Sequence, residues 1–239
     1  MSNRTTFTTK LGVIAATVGS AVGLGNIWRF PYETGQNGGA AFLLIYLICV
    51  FVIGVPVMTA EFVIGRRAKA NASRAFKILS PASHWHIIGI MGIFASIFIL
   101  GFYSVIAGWT LEYVFQAITN GLSGKNAAEF QEAFNGFSSD TFLPLYWIFI
   151  FLLLNYMIVS RGVKDGIEKA SNILTPLLFV ILIIFCIRSL FLPGASEGLK
   201  FLFHPDFSKI DSNVILRAMG QAFFSLSLGM GTLTTYSSY

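Results

Sequence analysis

The run Gly19-Ser20-Ala21-Val22-Gly23-Leu24-Gly25-Asn26-Ile27-Trp28-Arg29-Phe30-Pro31 places three glycines within seven residues, followed at once by an amide and a guanidinium. Each glycine costs a helix about 1 kcal/mol, so this composition predicts a helix unwound near Val22 to Leu24. Unwinding frees backbone carbonyls on the N-terminal side and backbone N–H groups on the C-terminal side. A carboxylate suits the exposed N–H groups and the positive end of the following helix dipole. A small hard cation suits carbonyl and amide oxygens, and Asn26 offers one more such oxygen. Gly19 and Gly23 also form a GxxxG packing pair, but packing alone does not explain the Asn and Arg just beyond. A dinucleotide-binding turn is excluded, because Trp28 stands where the third glycine belongs.

A second stretch repeats the anomaly. Gln221-Ala222-Phe223-Phe224-Ser225-Leu226-Ser227-Leu228-Gly229-Met230-Gly231 clusters small and hydroxyl residues inside an apolar segment, where serine can replace backbone hydrogen bonds. Either stretch alone is a weak signal. Two such interruptions at corresponding positions of two halves point to a transport site at the membrane midplane.

The surrounding chain is suited to position them there. Of its 239 residues, 55% are hydrophobic and only 11% are charged, with 24 Phe and 23 Gly. A soluble domain carries roughly 25% charge, so this chain cannot coat a water-facing surface of its size. Six apolar segments are long enough to cross a bilayer, at roughly 11–35, 39–65, 87–120, 141–160, 166–191 and 213–239. The polar stretch 66–86 holds Arg66, Arg67, Lys69, Arg74 and Lys77 and no acid, whereas 121–140 and 192–212 lean acidic. Basic loops stay in the cytoplasm, which puts 66–86, the short turn with Arg161 and Lys164, and the N-terminus inside. Five crossings then start segment six outside, so a second repeat opening there is inverted relative to the first. The net charge of +5 follows topology, not a nucleic-acid-binding patch.

Other features carry less. Cys49 and Cys186 lie in apolar runs and read as small hydrophobes. The stretch after Lys10 lacks a convincing cleavage site and reads as a retained span. His84-Trp85-His86 has no partnering Cys or carboxylate cluster and reads as an interfacial segment, not a metal site. Glu112 receives no role. The spacing of Gly166 from Pro176 fits an ordinary proline kink.

Residues 19–42, GSAVGLGNIWRFPYETGQNGGAAF, resemble the first-helix signature of the neurotransmitter:sodium symporters, and of their bacterial amino-acid transporter branch in particular. Tyr103 with Gly108-Trp109-Thr110, the Arg161-Gly162 turn, Gly166 with Pro176, and the run Gln221 to Tyr239 extend the similarity over nearly the whole chain. The resemblance implies an all-α membrane protein: the N-terminal six helices of an inverted five-plus-five-helix repeat transporter, with helices one and six broken at mid-membrane. It implies sodium-coupled amino-acid symport by alternating access, and no enzymatic activity.

Residue by residue, the resemblance assigns the carbonyls of Gly19 and Val22 to one sodium. It assigns the Ala21 carbonyl, the Asn26 side chain and Ser225 to the other, with the substrate carboxylate as a further ligand. Substrate would lie against Ser20, Ala21, Gly23, Leu24, Gly25, Ile99, Tyr103, Phe224, Ser225, Ser227 and Met230. Tyr103 and Phe224 would form an aromatic lid. Arg29 would belong to an outer gate, and Arg4 and Tyr239 to an inner one. Glu61 looks like a structural carboxylate near the inner end of segment two. Ser20 replaces the aspartate of monoamine carriers, which implies a substrate bringing its own carboxylate, and Met230 stands where some relatives have Phe. The uncharged pocket of Ile99, Phe224 and Met230 favours large apolar or aromatic side chains.

The resemblance also implies multi-pass placement in the cytoplasmic (inner) membrane with the N-terminus cytoplasmic. Its partners would be the lipid bilayer, an amino-acid substrate and further helices of the same transporter after Tyr239; nucleic acid is not among them. Sodium is the expected coupling ion, and chloride dependence stays open. The competing expectation is an inactive or regulatory membrane subunit derived from a transporter half.

Overall fold

The computed structural model describes residues 18–19, 21–23 and 25–239, and every regular element among them is helical. Two compact units form: one joins the residues up to Phe94 with Val163–Tyr239, and the other is the continuous stretch Ala95–Gly162. Arg4, Ser20 and Leu24 lie outside the described residues.

In the first unit, a π-helical turn at Gly25–Arg29 leads into α1 (Phe30–Gln36). Pro31 sits in the first turn of α1, where a missing N–H removes no helical bond. Gly38 and Gly39, at φ 92° and 59°, then turn the chain into α2 (Ala40–Cys49). A second π turn, Val50–Gly54, continues into α3 (Val55–Ala68). Pro56 is the physical reason for this turn: it has no N–H and crowds the preceding turn, and the Val55 N–H reaches back to the Val50 carbonyl. Residues Ala40–Ala68 together give a 29-residue helix long and apolar enough to cross a membrane.

Lys69 ends α3 in the left-handed conformation, and the Asn71 side chain caps α4 (Ala72–Leu79) by accepting the Arg74 N–H at 3.0 Å. The 33-residue α5 (His86–Ile118) begins in the first unit and runs on into the second. There it is followed by α6 (Ala127–Ser139) and α7 (Leu143–Val159), bent by 74° to each other. Gly108 brings the α7 backbone close, since a Cβ on it would stand 3.1 Å from the Ile148 nitrogen. The Phe134 ring meets Trp109 edge-on at 5.2 Å.

Back in the first unit, a π turn at Val163–Glu168 opens α8 (Lys169–Leu190), followed by α9 (Ala195–Phe203) and a 3₁₀ turn at Phe207–Lys209. Then α10 (Ser212–Ser225) and α11 (Thr232–Ser237) share what the sequence presents as one segment. Among the described residues, Ala40–Ala68, His86–Ile118 and Asp165–Leu190 qualify as spans, or four spans if α6 and α7 count together.

Burial is concentrated where helices meet, not along the spans. Phe42, Val214 and Ala218 form a buried cluster with Phe30, Ile45, Tyr46 and Ile210 around it, so α1, α2 and α10 share one small core. Phe30 and Tyr46 rings lie 4.8 Å apart. Along α7 and α8 no residue is buried, and Phe98 on α5 is 77% exposed. Apolar faces of that extent fit lipid and further helices, not water.

The three polar stretches between segments are not plain loops. Each holds a helix: α4, α6 and α9. At the start of α6, Asn126 and Glu129 form a capping box, each satisfying a backbone N–H of the other's turn. In the third stretch, Asp206 accepts the hydroxyl and the N–H of Ser208 at 2.6 and 3.1 Å. These bonds hold its carboxyl below the usual carboxylate range, with Lys209 adding a smaller effect. A lowered folded pKa means the turn is fully held above the ordinary carboxylate pKa and loosens as pH falls through the lowered value. Amide exchange at Ser208, corrected for the intrinsic pH dependence, should therefore speed up in acid. In Asp206→Asn it should show no such step.

Candidate functional site

The first helix break is closed by its own side chain. Val22 still donates its N–H to the Val18 carbonyl at 2.7 Å, but Val22 and Gly23 then leave the helix. The Gly23 carbonyl accepts the Asn26 and Ile27 N–H groups at 3.0 and 3.2 Å, restarting the chain as the π turn. Asn26 turns back across the gap and donates from Nδ2 to the Ala21 carbonyl at 2.7 Å. The two groups expected to share a cation are thus already adjacent. Gly19 lies against α8: a Cβ there would meet the Thr175 hydroxyl at 2.9 Å. π turns are rare and concentrate at functional sites.

The second break spans Leu226 to Gly231. Ser227, Gly229 and Gly231 adopt φ of 54°, 75° and 73°, a left-handed conformation that interrupts any helix. Serine bears it at a steric cost that the glycines do not incur. The Leu228 N–H reaches the Phe223 carbonyl at 3.0 Å, and the Ser227 N–H reaches that of Phe224 at 3.2 Å. Two neighbours press on the break. Gly92 on α5 would place a Cβ 2.8 Å from the Gly229 carbonyl and 3.1 Å from the Met230 carbonyl carbon. Gly54 in the second π turn would place one 2.5 Å from a Leu226 methyl.

Two polar side chains secure the breaks. Gln221, fully buried, donates from Nε2 to the Gly25 carbonyl at 3.3 Å and to the Ser225 hydroxyl at 3.1 Å. It ties the first break to the second. Glu61, expected on the resemblance to be structural, has specific partners: Oε1 accepts the Gly229 N–H at 2.7 Å, and Oε2 accepts the Thr234 hydroxyl at 3.2 Å. The Arg29 guanidinium lies over the Phe224 ring, 5.1 Å from its centre.

Gly19, Ala21, Val22, Gly23, Gly25, Asn26, Arg29, Phe224, Ser225, Ser227, Met230 and Tyr239 all belong to the first unit. Ile99 and Tyr103 stand one turn apart on α5 in the second, both half-buried. Tyr239 follows α11, and its expected inner partner Arg4 lies outside the described residues. Gly166 falls inside the π turn that opens α8. Glu112 is buried and accepts from Gln116 at 2.6 Å. Sequence reasoning missed the bridging role of Gln221. The available signal was its place one turn before Ser225, where i and i+4 side chains meet.

Comparison with known proteins adds four findings. The model of the sodium:neurotransmitter symporter family matches residues 4–141 and 143–239. An uncharacterized sodium-dependent transporter of Bacillus subtilis is 43% identical over 230 residues, which is 96% of this chain and 51% of that protein. The sodium-dependent neutral amino acid transporter B(0)AT2 of Bos taurus is 33% identical over 265 residues, 99% of this chain and 36% of its own length. Among solved structures, that of MhsT in complex with L-phenylalanine superposes with a TM-score of 0.93 at 52% identity, covering 99% of this chain and 54% of its own. The chain spans about half the length of the bacterial relative and of MhsT.

Proposed function

Because this chain belongs to the sodium:neurotransmitter symporter family, a family of membrane transporters and not of enzymes, we propose that it forms the part of a sodium-coupled amino-acid symporter that carries both helix breaks. The observation that supports this most is the meeting of the breaks: Gln221 reaches the Gly25 carbonyl and Ser225 together. One cation is held by the Ala21 carbonyl, the Asn26 amide oxygen and Ser225, once the Asn26 amide turns from the position in which its nitrogen donates to Ala21. A second lies at the Gly19 and Val22 carbonyls, beside Thr175 and Ser171, whose hydroxyls flank Gly19. The substrate carboxylate takes the N–H groups freed at the first break and completes the first cation's shell.

The side chain of the substrate is large and apolar or aromatic. Phe224 and Met230 offer no charged partner, and burying an unpaired charge against them costs several kcal/mol. An apolar side chain gains about 25 cal/mol per Å² buried. The relatives agree in kind: one is named for neutral amino acids and another was crystallised with phenylalanine. The protein lies in the cytoplasmic membrane with its N-terminus inside and works by alternating access, the breaks exchanging their exposure between the two faces.

The test is phenylalanine binding by the complete transporter across a sodium titration. Ion and carboxylate share a site, so their affinities are reciprocally coupled. Asn26→Ala should lower sodium affinity about tenfold or more and lower phenylalanine affinity with it, within the 5–150-fold range of such couplings. An unchanged sodium dependence removes Asn26 from the site. Preference for glycine or for a charged amino acid overturns the pocket. A protein that binds no amino acid, yet copurifies with a stable membrane partner, is a regulatory subunit instead.

A further inference from the structure

The buried carboxylate of Glu33 in the first unit is unused by the sites above. Glu33 on α1 is only 6% exposed, and charged groups at such depth are retained where they are paired. Its Oε1 lies 3.7 Å from Arg29 Nε, one turn earlier on the chain. Its Oε2 accepts from Arg217 Nη1 at 3.4 Å, across 184 residues of sequence, and from Asn37 Nδ2 at 3.0 Å. Asn37 also donates to the Glu33 backbone carbonyl at 2.7 Å, which fixes the helix end that carries the carboxylate. Both arginines are partly exposed, with side chains at 34% and 56%; the acid between them is enclosed.

We propose that Glu33 is the positioning residue of the outer lid: it holds Arg29 over Phe224 and, through Arg217, fastens the outer half of the first helix to the outer half of the sixth. The inference rests on the symporter reading of this site and names a residue pair that the reading leaves without a role.

The argument is geometric. A guanidinium on a flexible stem has many conformations, and a cation–π contact at 5.1 Å alone is worth about 0.5–1 kcal/mol at an exposed site. That is too little to hold Arg29 in one of them. A fixed carboxylate one turn away selects the conformer in which Nε faces Glu33 and the planar head lies along the Phe224 ring. Arg217 is on α10 one turn before Gln221, and α10 ends two residues beyond Phe223, just past Phe224. The Glu33–Arg217 bond therefore couples the helix bearing the lid ring to the helix bearing the cation above it. The two arginines take different oxygens of Glu33, so neither has to release it for the other to remain paired. Removing the acid frees both cations at once and places them in mutual repulsion.

Loss of this clamp should act on escape of the substrate more than on its entry, since differences between related complexes lie mainly in dissociation rate. In the complete transporter at saturating sodium, Glu33→Gln should speed phenylalanine dissociation about tenfold, and Arg217→Gln about threefold. Sodium binding without amino acid should stay within about twofold of the unmodified protein, which separates a lid effect from general damage. The double variant should release phenylalanine no faster than Glu33→Gln alone, because residues acting through one contact are not additive. Unchanged dissociation, additive effects, or sodium binding lost in the same proportion overturns the proposal. If the unmodified protein binds no amino acid, the symporter reading falls. The clamp is then decided by the melting temperatures of the same variants, where additivity of Glu33→Gln and Arg217→Gln overturns it.

Discussion

In the complete transporter, Glu61→Ala should weaken phenylalanine binding about 100-fold. Glu61 is 9% exposed, and both of its oxygens are spent on the second helix break, one on the Gly229 N–H and one on the Thr234 hydroxyl. A hydrogen bond to a charged group contributes roughly 1.5–3 kcal/mol. Losing both, with a side-chain-sized gap left behind, costs about 3 kcal/mol of preference for the bent over the relaxed backbone. At 1.4 kcal/mol per tenfold, that is about two decades of affinity. Glu61→Gln keeps one carbonyl oxygen for Gly229, and the Thr234 hydroxyl can turn to accept from the new amide. This variant should lose only about tenfold. Isothermal titration of the three proteins at fixed sodium decides the matter. Equal affinity in Glu61→Ala and the unmodified protein means that the break holds its shape without the carboxylate.

The other large effect is on stability. Gly65→Ala should destabilise the first unit by about 3 kcal/mol, the upper part of the range for overpacked sites. A Cβ on Gly65 would collide with the Thr234 carbonyl and the Ser237 hydroxyl, so α3 and α11 pack backbone against backbone there. The hydroxyl can turn away, but the carbonyl belongs to the α11 helix and cannot move without displacing it. Small residues permit such close approach between membrane helices. Gly198, on α9, has nothing within 4 Å of a would-be Cβ. Gly198→Ala should be neutral or stabilising by about 0.4–1 kcal/mol, through the less flexible unfolded chain. Paired thermal melts in detergent test both. Equal melting temperatures for the two variants would falsify the close packing of α3 on α11.

These two residues also mark the limit of what the sequence discloses. Both helix breaks and the family were legible, because glycine clusters and charges inside apolar runs are local signals. Gln221, Arg217 and the partners of Glu61 were not, because their meaning depends on pairs far apart in the chain: Gly25 with Gln221, Glu33 with Arg217, Glu61 with Gly229. No periodicity in a single segment encodes such a pair. The helix α6 was missed for a different reason. Its Asn126 and Glu129 spell a helix start, but the acidic composition around them reads as solvent-exposed loop when only span-length segments are counted. The three π turns escaped as well. Pro56 accounts for one of them, and the other two lie at glycines whose freedom allows several backbone paths.

The division of the chain into one discontinuous and one continuous unit bears on the order in which the protein can be built. Residues Ala95–Gly162 have all their own contacts available as soon as Gly162 leaves the ribosome. The other unit does not. Glu33 and Glu61 enter the membrane with helices made early, whereas Arg217, Gly229 and Thr234 follow 168 to 184 residues later. At about 5–20 residues per second, that interval is roughly 10–35 s. During it, Glu61 waits without the two groups that satisfy it in the folded unit, inside an apolar span where an unpaired acid is costly, whereas Glu33 already has Arg29 and Asn37 of its own segment. The nascent second segment must therefore stay shallow, borrow water, or be shielded by the insertion machinery until the sixth arrives. The acid that secures the second helix break is thus the one that makes its assembly vulnerable.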